Sequence, residues 1–141
     1  MRIERELMRG AGPVAVLSLL SVGEMYGYEL VVALAARTSG VLDIGQSTLY
    51  PLLYNLEAKG LVESERRRSE HGRERKYYSL TTSGRHRLDA DRAQWQAVTG
   101  AMRELGVVVR AFLPSGAAVI TVPGAVASEC NRIDGHRRGM A

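Results

Sequence analysis

The residues of this chain that can do chemistry lie mostly between Ser47 and Lys76. Arg66, Arg67, Arg68, Arg73, Arg75 and Lys76 put six cations into eleven residues, with only Glu70 and Glu74 opposing them. Such a run suits phosphate oxygens, contacts that position a protein on a polyanion and carry little sequence information. Just upstream, Ser47, Thr48, Tyr50, Tyr54 and Asn55 offer hydroxyl and amide groups, the kind that read base edges, and Asn55 is suited to adenine. Enzyme chemistry is not expected. No Ser-His-Asp, Cys-His or paired-carboxylate arrangement stands out, and there is no glycine-rich phosphate loop. His71, His86 and His136 are scattered without ligand spacing, so neither a metal nor a cofactor is expected. A single cysteine, Cys130, excludes an internal disulfide and fits a reducing cytoplasm.

These groups need elements to hold them. Leu49, Leu52, Leu53 and Leu56 recur at the spacing of one apolar helix face, which is read as core. The opposite face carries Ser47, Thr48, Tyr50, Tyr54 and Asn55. Ser47 or Thr48 is expected to cap this helix, with Pro51 in or just after its first turn and Gly60 ending it beside Lys59. Strand-like runs from Leu61 to Glu65 and from Lys76 to Leu80 flank the basic stretch, whose Gly72 marks a hairpin tip. A helix followed by a basic hairpin is the layout of a winged helix, one part for the major groove and one for the flanking backbone.

Upstream, Met1 to Arg9 is expected to form a short helical turn, broken at Gly10 to Gly12, with Pro13 opening an apolar helix. Ser21 to Glu24 is a turn, and a second helix is expected from Met25 to Arg37. Gly27 within it implies close approach of another helix backbone, and Thr38 to Gly45 is a loop. Downstream, Thr81 or Thr82 caps a last helix. Leu88, Asp91, Trp95, Val98, Met102 and Leu105 follow each other at three- and four-residue steps, the 3.5-residue period of a packed helix pair. A winged-helix core is complete without this stripe, so it calls for a partner, most simply the same helix of a second copy; the alternative is a helix folded back on its own domain.

The fold class is thus mainly α with a small β-hairpin wing: a winged helix-turn-helix domain over 1–80, a dimerisation helix over 81–106 and an atypical tail over 107–141. In the tail, β-branched runs flank Pro114-Ser115-Gly116 in a hairpin-like pattern, and the polar stretch from Asn131 reads as disordered. The formal net charge of +4 over 141 residues suits a polyanionic partner. The charged first nine residues do not read as a secretory signal, and no apolar run approaches the ~20 residues of a membrane span.

Four stretches now carry a resemblance: Tyr26-Gly27-Tyr28-Glu29-Leu30, Ser47-Thr48-Leu49-Tyr50-Pro51-Leu52-Leu53, Leu56-Glu57-Ala58-Lys59-Gly60-Leu61-Val62, and Arg75-Lys76-Tyr77-Tyr78-Ser79-Leu80-Thr81-Thr82-Ser83-Gly84. In this order and spacing they resemble the signatures of the PadR family, bacterial winged-helix transcriptional regulators of which the short-tailed type ends in one long helix. The resemblance covers about Glu6 to Leu105. It implies a homodimeric, sequence-specific DNA-binding repressor released by a small ligand, acting on a pseudo-palindromic double-stranded operator. Ser47, Thr48, Tyr50 and Pro51 would enter the major groove, with Tyr54 and Asn55 further along and the wing cations on the phosphates or with one side chain in the minor groove. Leu7 and Met8 would pack on the partner subunit beside Leu88, Trp95, Val98, Met102 and Leu105. In some short-tailed relatives, paired aromatic residues border a pore between the subunits that accepts flat organic ligands, which makes Trp95 and Asp91 the effector candidates. The alternative is a winged-helix module that binds protein without reading DNA; a wing so rich in arginine argues against it.

Overall fold

The computed structural model describes residues 1–109, so the hairpin and disorder expected of the tail fall outside the described residues. The chain divides into a compact unit, Met1–Gln94, and a second from Trp95 onward. Among the described residues there are four helices and a three-stranded antiparallel sheet, the winged-helix arrangement.

The first helix, α1 (Arg5–Leu20), is continuous. The expected break at Gly10 to Pro13 does not occur, and Pro13 lies inside the helix. An interior proline costs about 3 kcal/mol, because it removes one N–H and crowds the carbonyl four residues back. Burial decides the outcome. Val16, Leu17, Leu19 and Leu20 are all buried, and each contributes roughly 1.5–3 kcal/mol.

The second helix starts later than its hydrophobic pattern implies. Met25–Tyr26 forms strand β1, paired with Tyr78 and Tyr77, and α2 (Gly27–Arg37) follows directly. Tyrosine favours a pleated surface, and a free sheet edge claims Met25 and Tyr26 before the helix begins. The Tyr26 N–H donates to Glu29 Oε1 at 3.4 Å across the first turn. Gly27 is a close-approach position, but to a side chain and not to a helix backbone. A β-carbon there would lie 2.6 Å from Tyr50 Oη.

The central helix, α3 (Gln46–Ala58), is capped by Gly45 without a side-chain cap bond, which corrects the expected role of Ser47 or Thr48. Both Thr48 and Leu49 donate their N–H to the Gly45 carbonyl, at 3.1 and 3.0 Å. The helix therefore begins two or three residues earlier than expected, and Pro51 falls beyond its first turn. At the other end Gly60 donates to Glu57 O and Leu61 to Leu56 O, both at 3.0 Å, with Gly60 in the left-handed region at φ +71. That is the Schellman closure expected of Gly60. Leu49, Leu53 and Leu56 are buried in one cluster with Leu17, Leu30, Leu34, Val62 and Tyr78, while Leu52 packs at its margin.

Strands β2 (Val62–Arg68) and β3 (Glu74–Leu80) form the wing, in sheet order β1-β3-β2. Both extend further towards the tip than the sequence pattern implies, leaving a loop from Ser69 to Arg73. Last comes α4 (Thr82–Glu104). Thr81 caps it, its Oγ1 accepting the Gly84 N–H at 2.9 Å and donating to Gly60 O at 2.6 Å. Leu88 is 2 % exposed and belongs to the subunit's own core, which corrects its expected place on a dimer seam.

Candidate nucleic-acid interface

The leucines of α3 face inward, so the helix geometry turns the rest outward. Ser47, Pro51 and Tyr54 follow at i, i+4 and i+7, one line along the exposed side. Tyr50 lies beside that line, its ring against Gly27 of α2. Thr48 and Asn55 stand on the other flank, where they line a groove of about 620 Å³ with Met8, Gly12, Leu52 and Asp91. All six residues expected on this face are exposed. Since Gly45 caps the helix through its backbone, the hydroxyls of Ser47 and Thr48 are not used as caps.

Because the strands are longer than expected, five of the six wing cations sit in strands, and the two-residue alternation sorts them onto two faces. Val62, Ser64, Arg66 and Arg68 share one face with Lys76, Tyr78 and Leu80 of β3. This is the side of α3, because Val62 and Tyr78 are buried with its leucines and Glu57 of α3 reaches across. Glu57 accepts from Ser64 Oγ at 2.6 Å and pairs with Lys76 Nζ at 3.4 Å. The Ser64 hydrogen bond, with Lys76 beside it, holds the Glu57 carboxyl below its ordinary range. Burial pushes the Tyr78 hydroxyl up. Arg66 and Arg68 are exposed on this face, and Arg73 is exposed in the loop.

The outer face is a closed arrangement. Arg67 and Arg75 are cross-strand partners there, flanked by Tyr77 and Tyr26. The Arg75 guanidinium lies 4.3 Å from the Tyr26 ring centre and that of Arg67 5.1 Å from Tyr77, with the two rings edge to face at 5.7 Å. Arg67 is also held by Glu24, from the turn after α1, and by Glu65 at 2.9 Å. Hydrogen bonding to Arg67 lowers the Glu24 pKa, and the same partners raise that of Arg67.

A helix with an outward polar line, followed by a basic hairpin, is a layout for grasping a duplex. Comparison with known proteins narrows it. The model of the transcriptional regulator PadR-like family matches residues 16–90. This chain belongs to the PadR-like family. It is a transcriptional regulator with the winged-helix fold of its relatives. It is 38% identical over 88 residues to Transcriptional regulator Rv3488 of Mycobacterium tuberculosis, covering 62% of this chain and 78% of the relative. A solved PadR family regulator from Eggerthella lenta is 39% identical, with a TM-score of 0.63, covering 71% of this chain and 85% of that one. PadR of Bacillus subtilis, solved in complex with operator DNA, is 28% identical with a TM-score of 0.53, covering 57% of this chain and 44% of that one.

Within this PadR-like regulator, sequence reasoning missed Glu24, Glu57 and Ser64, the groups that tie the wing to the body. The alternation of β2 and β3 would have separated the two faces, but only with the strands drawn to their full length. Among the seam candidates, Trp95, Val98, Met102 and Leu105 are exposed, as is Leu7, while Met8 is half-buried against the core. Asp91 is half-buried and accepts from Arg87 Nε at 3.0 Å. Among the described residues no helix is long and apolar enough to cross a membrane.

Proposed function

We propose that this PadR-like regulator is a homodimeric, sequence-specific DNA-binding repressor released by a small ligand. The observation that carries the reading is that α3, with its exposed line of Ser47, Pro51 and Tyr54, and the exposed cations Arg66 and Arg68 lie on the same side of the sheet. Ser47, Thr48, Tyr50 and Pro51 enter the major groove at the N-terminal end of α3, with Tyr54 and Asn55 following. The wing grips the flanking phosphates, and Arg73 at the tip reaches the backbone or the minor groove. The Bacillus subtilis relative was solved on its operator, which supports the same role here. Dimerisation accounts for four large apolar side chains left exposed, Trp95, Val98 and Met102 along α4 and Leu105 just past its end. A pair of such helices brings two copies of Trp95 into the seam and gives a flat aromatic ligand a stacking surface.

The test begins with capture and sequencing of chromosomal fragments, which yields the operator. Salt titrations on that operator then separate the parts. Arg66→Ala and Arg68→Ala each weaken binding to operator and random duplex alike, and each lowers the log–log salt slope by about 0.9 for every phosphate no longer neutralised. Thr48→Ala instead reduces discrimination between the two duplexes, by the ~1–3 kcal/mol typical of a direct base contact. Failure to enrich any fragment, with slopes unchanged in the arginine variants, refutes the DNA-binding reading.

A further inference from the structure

Arg67 is the most heavily engaged cation of the wing. Its Nη1 and Nη2 donate to the two carboxylate oxygens of Glu24, the second at 2.7 Å. Nη2 and Nε donate to Glu65 Oε2 at 2.9 and 3.2 Å. A guanidinium has five N–H groups, so these four bonds leave one. No pair of donors remains for the forked grip that makes arginine a phosphate ligand. The charge count agrees: one cation and two carboxylates give the cluster a net −1. Glu24 lies 43 residues from Arg67 in the chain, in the turn between α1 and β1. Their pairing therefore joins the hairpin to the body of the domain. It also relieves the like charges of Arg67 and Arg75 directly across the ladder, Arg75 being stacked on Tyr26.

We propose that Glu24 and Arg67 are positioning residues that fix the wing against the body, and that Arg67 is not a phosphate ligand. On the α3 side, Glu57 performs the matching task through Ser64 and Lys76, so the hairpin is held from both faces. The assignment rests on the DNA-binding reading and refines it. The phosphate-binding cations are then Arg66, Arg68 and Arg73, while the outer face keeps their strands in place.

The sign of one substitution decides. Simple electrostatics makes removal of an acid beside DNA tighten binding, and it would free Arg67 as well. The positioning role makes it weaken binding. Glu24→Ala, Arg67→Ala and the double variant are compared on a random-sequence duplex at fixed salt, with folding checked by circular dichroism. Backbone ¹⁵N relaxation of Ser69 to Arg73 is recorded without DNA. Each single variant is expected to bind roughly two- to fivefold more weakly, the range of a geometrically good surface pair. The double variant is expected to lose no more than Arg67→Ala alone, and the wing amides are expected to gain mobility in all three. Equal or tighter binding by Glu24→Ala overturns the proposal, as does an additive double variant. If the unaltered protein binds no duplex, the DNA-binding reading fails by itself. The relaxation data then judge the clamp, and wing mobility unchanged by Glu24→Ala overturns it.

Discussion

Glycine to alanine inside a helix ordinarily stabilises, by about 0.5–1 kcal/mol, since alanine loses less backbone freedom on folding. Gly84 of α4 should do the opposite. It is buried in the first turn, and a β-carbon there would collide with the Leu61 carbonyl oxygen and come within 2.9 Å of Leu80 Cδ2. The leucine can turn away, but the carbonyl cannot easily follow, because it accepts the Thr81 N–H at 3.2 Å. Overpacking against fixed neighbours costs about 1–3 kcal/mol, occasionally more. Against a gain of at most ~1 kcal/mol, we expect Gly84→Ala to lose about 1 kcal/mol net, and more where the Leu61 carbonyl holds its place. Gly10→Ala is the control, since Gly10 is exposed on α1 with nothing within 4 Å of its added β-carbon. It should gain the ordinary ~0.5–1 kcal/mol. Thermal unfolding at one protein concentration reads both, with ~4–8 °C for each kcal/mol in a domain of this size. Melting temperatures that rise together would show that α4 does not approach Leu61 as closely as described.

Three further outcomes are expected. Val98→Glu places like charges in the proposed seam, so sedimentation should show monomers and operator affinity should collapse; a persistent dimer would exclude this stripe as the interface. Planar aromatics such as phenolic acids should quench Trp95 and loosen operator binding in parallel, and a broad library without effect on either would remove Trp95 as the effector contact. Glu57 has a depressed pKa, so its contribution is full above the ordinary carboxylate range and fades as pH falls through the lowered value. Glu57→Gln should therefore flatten the acid limb of a melting-temperature profile, and an unchanged limb would deny Glu57 its part in holding the wing.

What the sequence made legible followed local rules. The leucine period of α3, the stop at Gly60 and a threonine cap on α4 each depend on residues within a few positions, and each appears, the cap falling on Thr81 of the two threonines expected. The misses share a different cause. Helix α1 continues through Pro13 because burial around it outweighs the missing hydrogen bond, a tertiary effect that no local signal reports. Met25 and Tyr26 become a strand because β3, some fifty residues away, offers an open edge. Leu88 fits a heptad stripe equally well whether its cover is a second copy or its own core. The wing residues were visible as a charge run, but their division depends on strand register, and register depends on where β2 and β3 end.

One junction links these parts into a single reading head. Gly60 closes α3, and its carbonyl accepts from the Thr81 hydroxyl that caps α4. Leu61 accepts the Thr81 N–H and lies against Gly84, so the end of α3, the base of the wing and the start of α4 meet with no room for a β-carbon. Glu57 ties α3 to the wing a turn earlier, and Glu24 ties the wing to the turn after α1. A part so braced moves as a body. On the ligand-released reading, a ligand at Trp95 then acts on the separation of two reading heads and leaves the geometry inside each intact. Release needs only that the ligand prefer a spacing that two half-sites cannot match. On the same reading an effector contact on α4 would govern a surface on α3 to which it contributes no atom, because the Thr81 cap of that helix is held by Gly60 and Leu61, between the end of α3 and the base of the wing.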